Sequence, residues 1–235
     1  MPMDKEMQLD QEDRILKNVV KKGPKRPRTL RLQERDLELL RWVNGLGWIN
    51  VEMLMRKWEV SATAAGRRLM LLHHHGLLNR QTIAVGLGLI YWPTKTAIGL
   101  VDDDMLPLKQ ISLRDLYHSY RTLAVAINLE KQGGTFEPER RLRRKMNQKK
   151  NGLGVTGHVP DGLLWLEDRE LPVAIEVELS LKNKRKIQRI AKEYMYSNEY
   201  DSVRYYTDKQ TVKTLLEKTY EDFEIYIEVI KDGEW

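Results

Sequence analysis

Three acidic side chains stand at a spacing that could serve a phosphodiester. They are Asp161 in HVPDG, and Glu176 and Glu178 in PVAIEVELS. Alternation of Val173, Ile175, Val177 and Leu179 against Ala174, Glu176 and Glu178 predicts a strand over 172–180 that points both glutamates the same way. Asp161 opens a second strand predicted over 161–167, and the polar turn at Asp168 and Arg169 joins the two as a hairpin. An Asp and a Glu at adjacent strand ends can hold Mg2+ through oxygen ligands, so Asp161 and Glu176 are the candidate metal ligands. The ion would activate water, and a lysine such as Lys182 would orient the nucleophile or steady the transition state. Plainer readings stand beside this one: a strand with a polar, solvated face for the two glutamates, and a turn residue in Pro-Asp-Gly for Asp161.

Cations carry a second kind of chemistry. Between Arg140 and Lys150 lie seven bases and no acid, a density that repels itself unless an anion sits nearby. Arg140, Arg141, Arg143, Arg144 and Lys145 are therefore candidate contacts to DNA, as are Lys184 and Arg185; the alternative is a solvated loop. Upstream, Thr63, Arg67 and Arg68 fall outside the apolar stripe Ala62, Ala65, Leu69, Leu72 of a predicted helix, and Arg80 stands where a hairpin begins. His73, His74 and His75 are consecutive, so on a helix they point about 100° apart and cannot converge on one ion.

The elements that must position these groups follow from periodicity and punctuation. Leu37, Leu40, Trp42 and Val43 predict a first helix ending near Gly45 and Gly47. Asn50 caps a second helix through Met53, Leu54 and Trp58, and Ser61 caps a third that stops at Gly76. Two β-rich runs around Gly86-Leu87-Gly88 then predict a hairpin. Three helices followed by a hairpin is the winged-helix order, whose third helix is suited to a major groove. Asp102 to Asp104 with Pro107 mark a loop and a domain boundary. Beyond it are predicted a helix over 113–132, a short strand at Thr135 to Glu137, the hairpin already described, a helix over 182–198, a strand VRYYT, a helix over 210–218 and a last strand EIYIEVI. The expectation is an α/β (α+β) chain of two domains: a basic arm at 1–32, a winged helix-turn-helix at 33–101, and an αβββαβ domain with an added αβ unit at 112–235.

Composition bounds the function classes. The chain has 235 residues, 40 Lys and Arg against 34 Asp and Glu, and no cysteine, which excludes disulfides and thiolate zinc sites. Residues 193–235 hold 11 acids and 5 bases, so the preceding residues carry a net +12. A field of that sign attracts polyanions, above all nucleic acid. No apolar run reaches membrane-spanning length, and the polar N-terminus lacks a signal peptide, so a cytoplasmic protein is expected.

The segments GHVPDG, LPVAIEVELS and KNKRKIQRIAKEY resemble the core of the PD-(D/E)xK nuclease-like superfamily, and the order of elements over residues 33 to 206 resembles the replication-relaxation family of plasmids and mobile elements. The resemblance implies a winged helix joined to a restriction-endonuclease-like domain, with Pro160 and Asp161 matching the first motif and Glu176 the acid of the second. Where an active nuclease has lysine two residues after that acid, this chain has Glu178. Three functions follow as expectations: a DNA-binding protein of a plasmid, phage or integrative element acting in replication, relaxation or mobilisation, or their regulation; a Mg2+-dependent nuclease or nickase; and an adaptor that recruits a relaxase or replication protein. A homodimer is compatible with each.

Overall fold

The computed structural model describes residues 29–82, 86–149, 157–180, 184–221 and 226–229. The basic arm up to residue 28, Lys150 and Lys182 lie outside them, as does the side chain of Lys184. The chain is a mixed α/β protein with two sheets. Among the described residues no helix is long and apolar enough to cross a membrane.

Its first part is built by capped helices. Helix α1 (Glu34–Leu46) begins with a reciprocal capping pair, in which the Gln33 backbone N–H donates to Asp36 Oδ2 at 2.7 Å. It ends at Gly47, whose φ of 105° places it where an L side chain would be strained. After β1 (Ile49–Asn50), Asn50 accepts from the Met53 N–H and starts α2 (Val51–Trp58). Ser61 caps α3 (Ala62–His74) in the same way through Ala64. Strands β2 (Leu78–Thr82) and β3 (Leu89–Pro93) form the expected antiparallel hairpin, and β1 adds to the far side of β3, giving the order β1-β3-β2. A short helix α4 (Lys95–Leu100), capped by Thr94, follows. Neither β1 nor α4 is predicted above, because two residues and six are too few to show a period.

The second part centres on a five-stranded sheet. Helix α5 (Leu116–Lys131) leads into β4 (Thr135–Pro138), then α6 (Glu139–Lys149), β5 (Gly162–Trp165), β6 (Val173–Val177), α7 (Lys184–Met195), β7 (Ser202–Thr207), α8 (Gln210–Thr219) and β8 (Tyr226–Val229). The strand order is β4-β5-β6-β7-β8, antiparallel through β6 and parallel from there on. Two features depart from expectation. The basic stretch from Arg140 is a helix rather than a loop, and β6 is buried at all five positions rather than polar on one face. As the central strand, β6 is covered on both sides: Val173, Ile175 and Val177 join the core shared with α5, while Ala174 packs with Ile187, Ile190 and Ala191 of α7 and Val212 and Leu216 of α8.

That first core runs without a break from Leu39, Leu54 and Leu69 through Leu123 and Ile127 of α5 to Ile175, so the expected boundary at 102–107 is crossed by shared packing. Polar contacts reinforce it. Trp42 Nε1 donates to Glu130 at 2.8 Å, Lys57 reaches the same carboxylate at 2.7 Å, and Tyr120 donates to Glu52 at 2.9 Å. The approach is close at Gly45, where a Cβ would lie 2.9 Å from Pro138 Cγ.

Candidate functional site

Asp161 and Glu176 are brought together at the β5–β6 hairpin, but not as open ligands. Asp161 stands in the bend that leads into β5, and its side chain is engaged as well. Its Oδ2 accepts the Val177 N–H at 2.7 Å and lies 3.2 Å from His118 Nε2 of α5. His118 Nε2 also lies 3.0 Å from the Val177 carbonyl, so with two acceptors facing it this nitrogen carries the proton. Gly162 follows in the strand because the Phe136 ring lies across it, where any Cβ would collide. Asp161, His118, Asp115 and Glu139 open onto a cleft of about 200 Å3 beside Gly47 and Trp48.

Glu176 lies on the opposite face of the sheet, 5% exposed, under α7. His158 Nε2 and the Tyr194 hydroxyl both meet its Oε1. The loop carrying His158 is itself held by its N–H to Glu193 Oε2 at 2.8 Å, and the His158 and Tyr194 rings meet edge to face at 5.6 Å. Burial pushes the Glu176 carboxyl up, and the nearby charge of Asp161 pushes it further, against the pull of His158 and Tyr194. Burial and the Glu176 charge likewise push Tyr194 well above an ordinary phenol. Glu178, 6% exposed, folds back on Ser180, accepting from its N–H and hydroxyl at 3.2 Å.

This donor set does not fit a divalent cation. A Mg2+ site needs ionised oxygens aimed at one point with room for water. Here each carboxylate is engaged by donors of the chain itself. Among the described residues, no group of three His, Asp or Glu could hold a metal ion. Among the described residues, Lys209, just before α8, donates to the Leu179 carbonyl at 2.7 Å beyond the end of β6.

The predicted cationic residues fall into two classes. On α3, Thr63 and Arg67 are exposed, and Arg80 is exposed on edge strand β2, its guanidinium 3.1 Å from Met70 Sδ of α3. Arg68 is different. Its Nε donates to Asp36 Oδ1 at 2.7 Å, and Asp36 is completely buried, so this arginine ties α3 to the first turn of α1 and is not a reader. His73, at the end of α3, meets the Leu78 carbonyl at 2.8 Å.

On α6 the expected repulsion is relieved by acids of the same chain. Arg141 binds Asp103 at 2.8 Å, Arg144 binds Asp104 at 2.9 Å, Arg143 binds Glu139 at 2.6 Å, and Lys145 binds Glu137. Arg140 donates to the carbonyls of Asn44 and Leu106, and its burial, then the charge of Arg141, pull its pKa down. Arg185 is exposed on α7.

Sequence reasoning gave no role to His118, His158, Tyr194 or Asp36. Tyr194 had a signal: it continues the stripe Ile187, Ile190, Ala191 of α7, and a tyrosine on a buried stripe needs a partner for its hydroxyl.

No family model and no curated protein matches the chain. Among solved structures it is similar to Lactococcus lactis ZitR in mutant forms. One is 13% identical at a TM-score of 0.27 and covers 65% of this chain and 97% of that one. A second, also 13% identical at 0.27, covers 56% and 86%. Likeness at that level has no bearing on how the site is read.

Proposed function

We propose that the chain is a DNA-binding protein of a plasmid, phage or integrative element, acting in replication, relaxation or mobilisation, or in their regulation. In this reading residues 33–101 are a winged helix-turn-helix, and the sheet with α5 and α7 is a PD-(D/E)xK-like domain that holds DNA without cutting it. The observation that carries the reading is the outward face of α3. Thr63, Arg67 and His74 share it, it holds no acid, and the small residues Ala62, Ala64 and Gly66 leave its first turns narrow enough for a groove. Beside it, β2 presents Arg80, Gln81 and Thr82, all exposed, at the sheet edge where a wing would lie.

The order α5-β4-β5-β6-α7-β7, with β6 and β7 parallel, supports the nuclease-like assignment, and α6 is an insertion in it. The engaged carboxylates and Glu178 favour binding over hydrolysis. The test is to incubate the purified chain with supercoiled plasmid, with and without Mg2+ or Mn2+, reading mobility shift and nicking on one gel. A shift without nicking is expected. Metal-dependent nicking that disappears in Glu176→Ala would replace this reading with the nuclease one; no DNA affinity at any salt would leave the adaptor.

A further inference from the structure

One side of α6 presents Arg140, Arg143, Arg144, Asn147 and Gln148, spaced so that they form a single stripe along the helix. That stripe lines an open groove of about 620 Å3, closed on its other side by the Met105–Leu106 corner. Among the described residues, none of those lining it carries a carboxylate, although Asp104 is bound by two of them. Arg141 and Lys145, from the same basic run, are not part of it.

The ion pairs at this groove differ in how easily they exchange. Arg141 faces Asp103, whose side chain is 2% exposed, and that pair is a fixture of the fold. Arg143 and Glu139 are 47% and 38% exposed, and Arg144 and Asp104 are 37% and 64%. Exposed pairs of this kind add little to stability and give way readily to a better anion. Asp104 is also informative about geometry. Its Oδ2 takes Arg144 Nε at 2.9 Å and Gln148 Nε2 at 3.1 Å, so a guanidinium and an amide one turn apart already converge on a single anionic oxygen. The two donors hold the Asp104 carboxyl below its ordinary range.

We infer that this groove is a second nucleic-acid site, in which Arg143, Arg144 and Gln148 grip the phosphodiester backbone of a DNA strand while Asp104 occupies the place of one phosphate oxygen in the free protein. The inference rests on the DNA-binding reading above. Guanidinium forks match phosphate oxygens in geometry, and a backbone phosphate displaces a solvated carboxylate without exposing a buried charge. Arg140, fixed to two backbone carbonyls at the groove floor, adds field and positions the helix.

The experiment is a salt titration of full-length protein against a fluorescent 30-base-pair duplex. The proteins are the wild type, Arg143→Ala/Arg144→Ala, Asp104→Asn, and Lys213→Ala/Lys218→Ala as a charge-matched control on α8. Loss of two phosphate contacts lowers the slope of log affinity against log salt by about 2 and weakens binding roughly tenfold at moderate salt, because each contact contributes about 0.9 to the slope. Asp104→Asn is expected to tighten binding a few-fold, and the α8 control to change it less than twofold. If the wild type binds no duplex, the DNA-binding reading itself has failed. If it binds and the Arg143/Arg144 variant keeps the wild-type slope, or falls no further than the α8 control, the groove is not a site. Unchanged or weaker binding by Asp104→Asn would overturn the displacement.

Discussion

The molecule engages carboxylates of its interior and its sheet end in two different ways, and the contrast separates ion pairs that hold the fold from hydrogen-bonded ones. In the helical part and at its junction with the sheet, the partner is arginine: Asp36 meets Arg68, and Asp103 meets Arg141. In the sheet the partner is histidine, aided by tyrosine: Asp161 meets His118, and Glu176 meets His158 and Tyr194. A guanidinium stays charged at any pH a folded protein meets, so the first pairs are permanent staples. The second pairs rest on single ring nitrogens and a phenol rather than on a guanidinium fork.

The sharpest way to break the first half of the comparison is Arg68→Ala. Asp36 is completely buried, and removing its cation leaves an uncompensated charge inside. Such losses cost about 3–5 kcal/mol. Urea unfolding should show that drop, and a change under 1 kcal/mol would mean that Arg68 is not what holds Asp36 in the core.

Arg141→Ala comes next. The loss is smaller, about 2 kcal/mol, because Arg141 is 28% exposed and Asp103 keeps Asn44 and the Met105 N–H as donors. Burial alone would raise Asp103, but hydrogen bonds from Arg141, Asn44 and Met105 outweigh it and hold its pKa down. A lowered folded-state pKa gives stability that is present above the ordinary value of 3.8 and lost as pH falls through the folded one. Acid unfolding of the wild type should therefore show a loss below about pH 4 that Arg141→Ala reduces; equal acid sensitivity in both proteins would remove Asp103 from the account.

The difference between these pairs also shows what the sequence could and could not disclose. Caps and periods are local, so the starts of α2 and α3 at Asn50 and Ser61, the hairpin at Gly86 and Gly88, and the amphipathic helices α1, α3 and α5 are legible from neighbours in the chain, whereas the almost uniformly basic α6 shows too little apolar period to be read. Pairing across the fold is not. Arg67 and Arg68 are adjacent and chemically alike, yet one is exposed and the other meets an aspartate 32 residues away. The alternation of Glu176 and Glu178 marks them correctly as sharing a face, but not that helix α7 covers Glu176. The basic run from Arg140 reads as unpaired because two of its acids, Asp103 and Asp104, lie 38 and 40 residues from Arg141 and Arg144, across a loop that seemed to divide the chain.

The second half of the comparison is sharpened by Glu176→Gln. Its carboxyl is pushed up by burial first and by Asp161 next, so its ionisation opposes folding. A raised folded-state pKa gives stability that is full below the ordinary value of 4.5 and lost as pH rises through the folded one. The glutamine keeps an acceptor for Tyr194 and His158 and removes the charge. It should be neutral or stabilising by about 1 kcal/mol above neutrality, with that gain shrinking as pH falls toward the ordinary carboxylate range. Destabilisation above 2 kcal/mol would mean that the ionised carboxylate is held by its donors and that this pair, too, is a staple.

Arg67→Ala should have the smallest effect on the fold and tests the contrast from outside it. Arg67 is exposed one residue before Arg68, and exposed substitutions on helices stay within about 0.5 kcal/mol. If α3 is the reader, the same variant should weaken duplex binding by about 1–3 kcal/mol, most for the preferred sequence, because a guanidinium aimed at a guanine edge is worth that much in discrimination. A uniform loss across sequences would assign Arg67 to a phosphate. The pairing of opposite outcomes at two neighbouring arginines, stability lost at one and affinity lost at the other, is what distinguishes a helix packed by one face and reading with the next from a basic helix that is merely solvated.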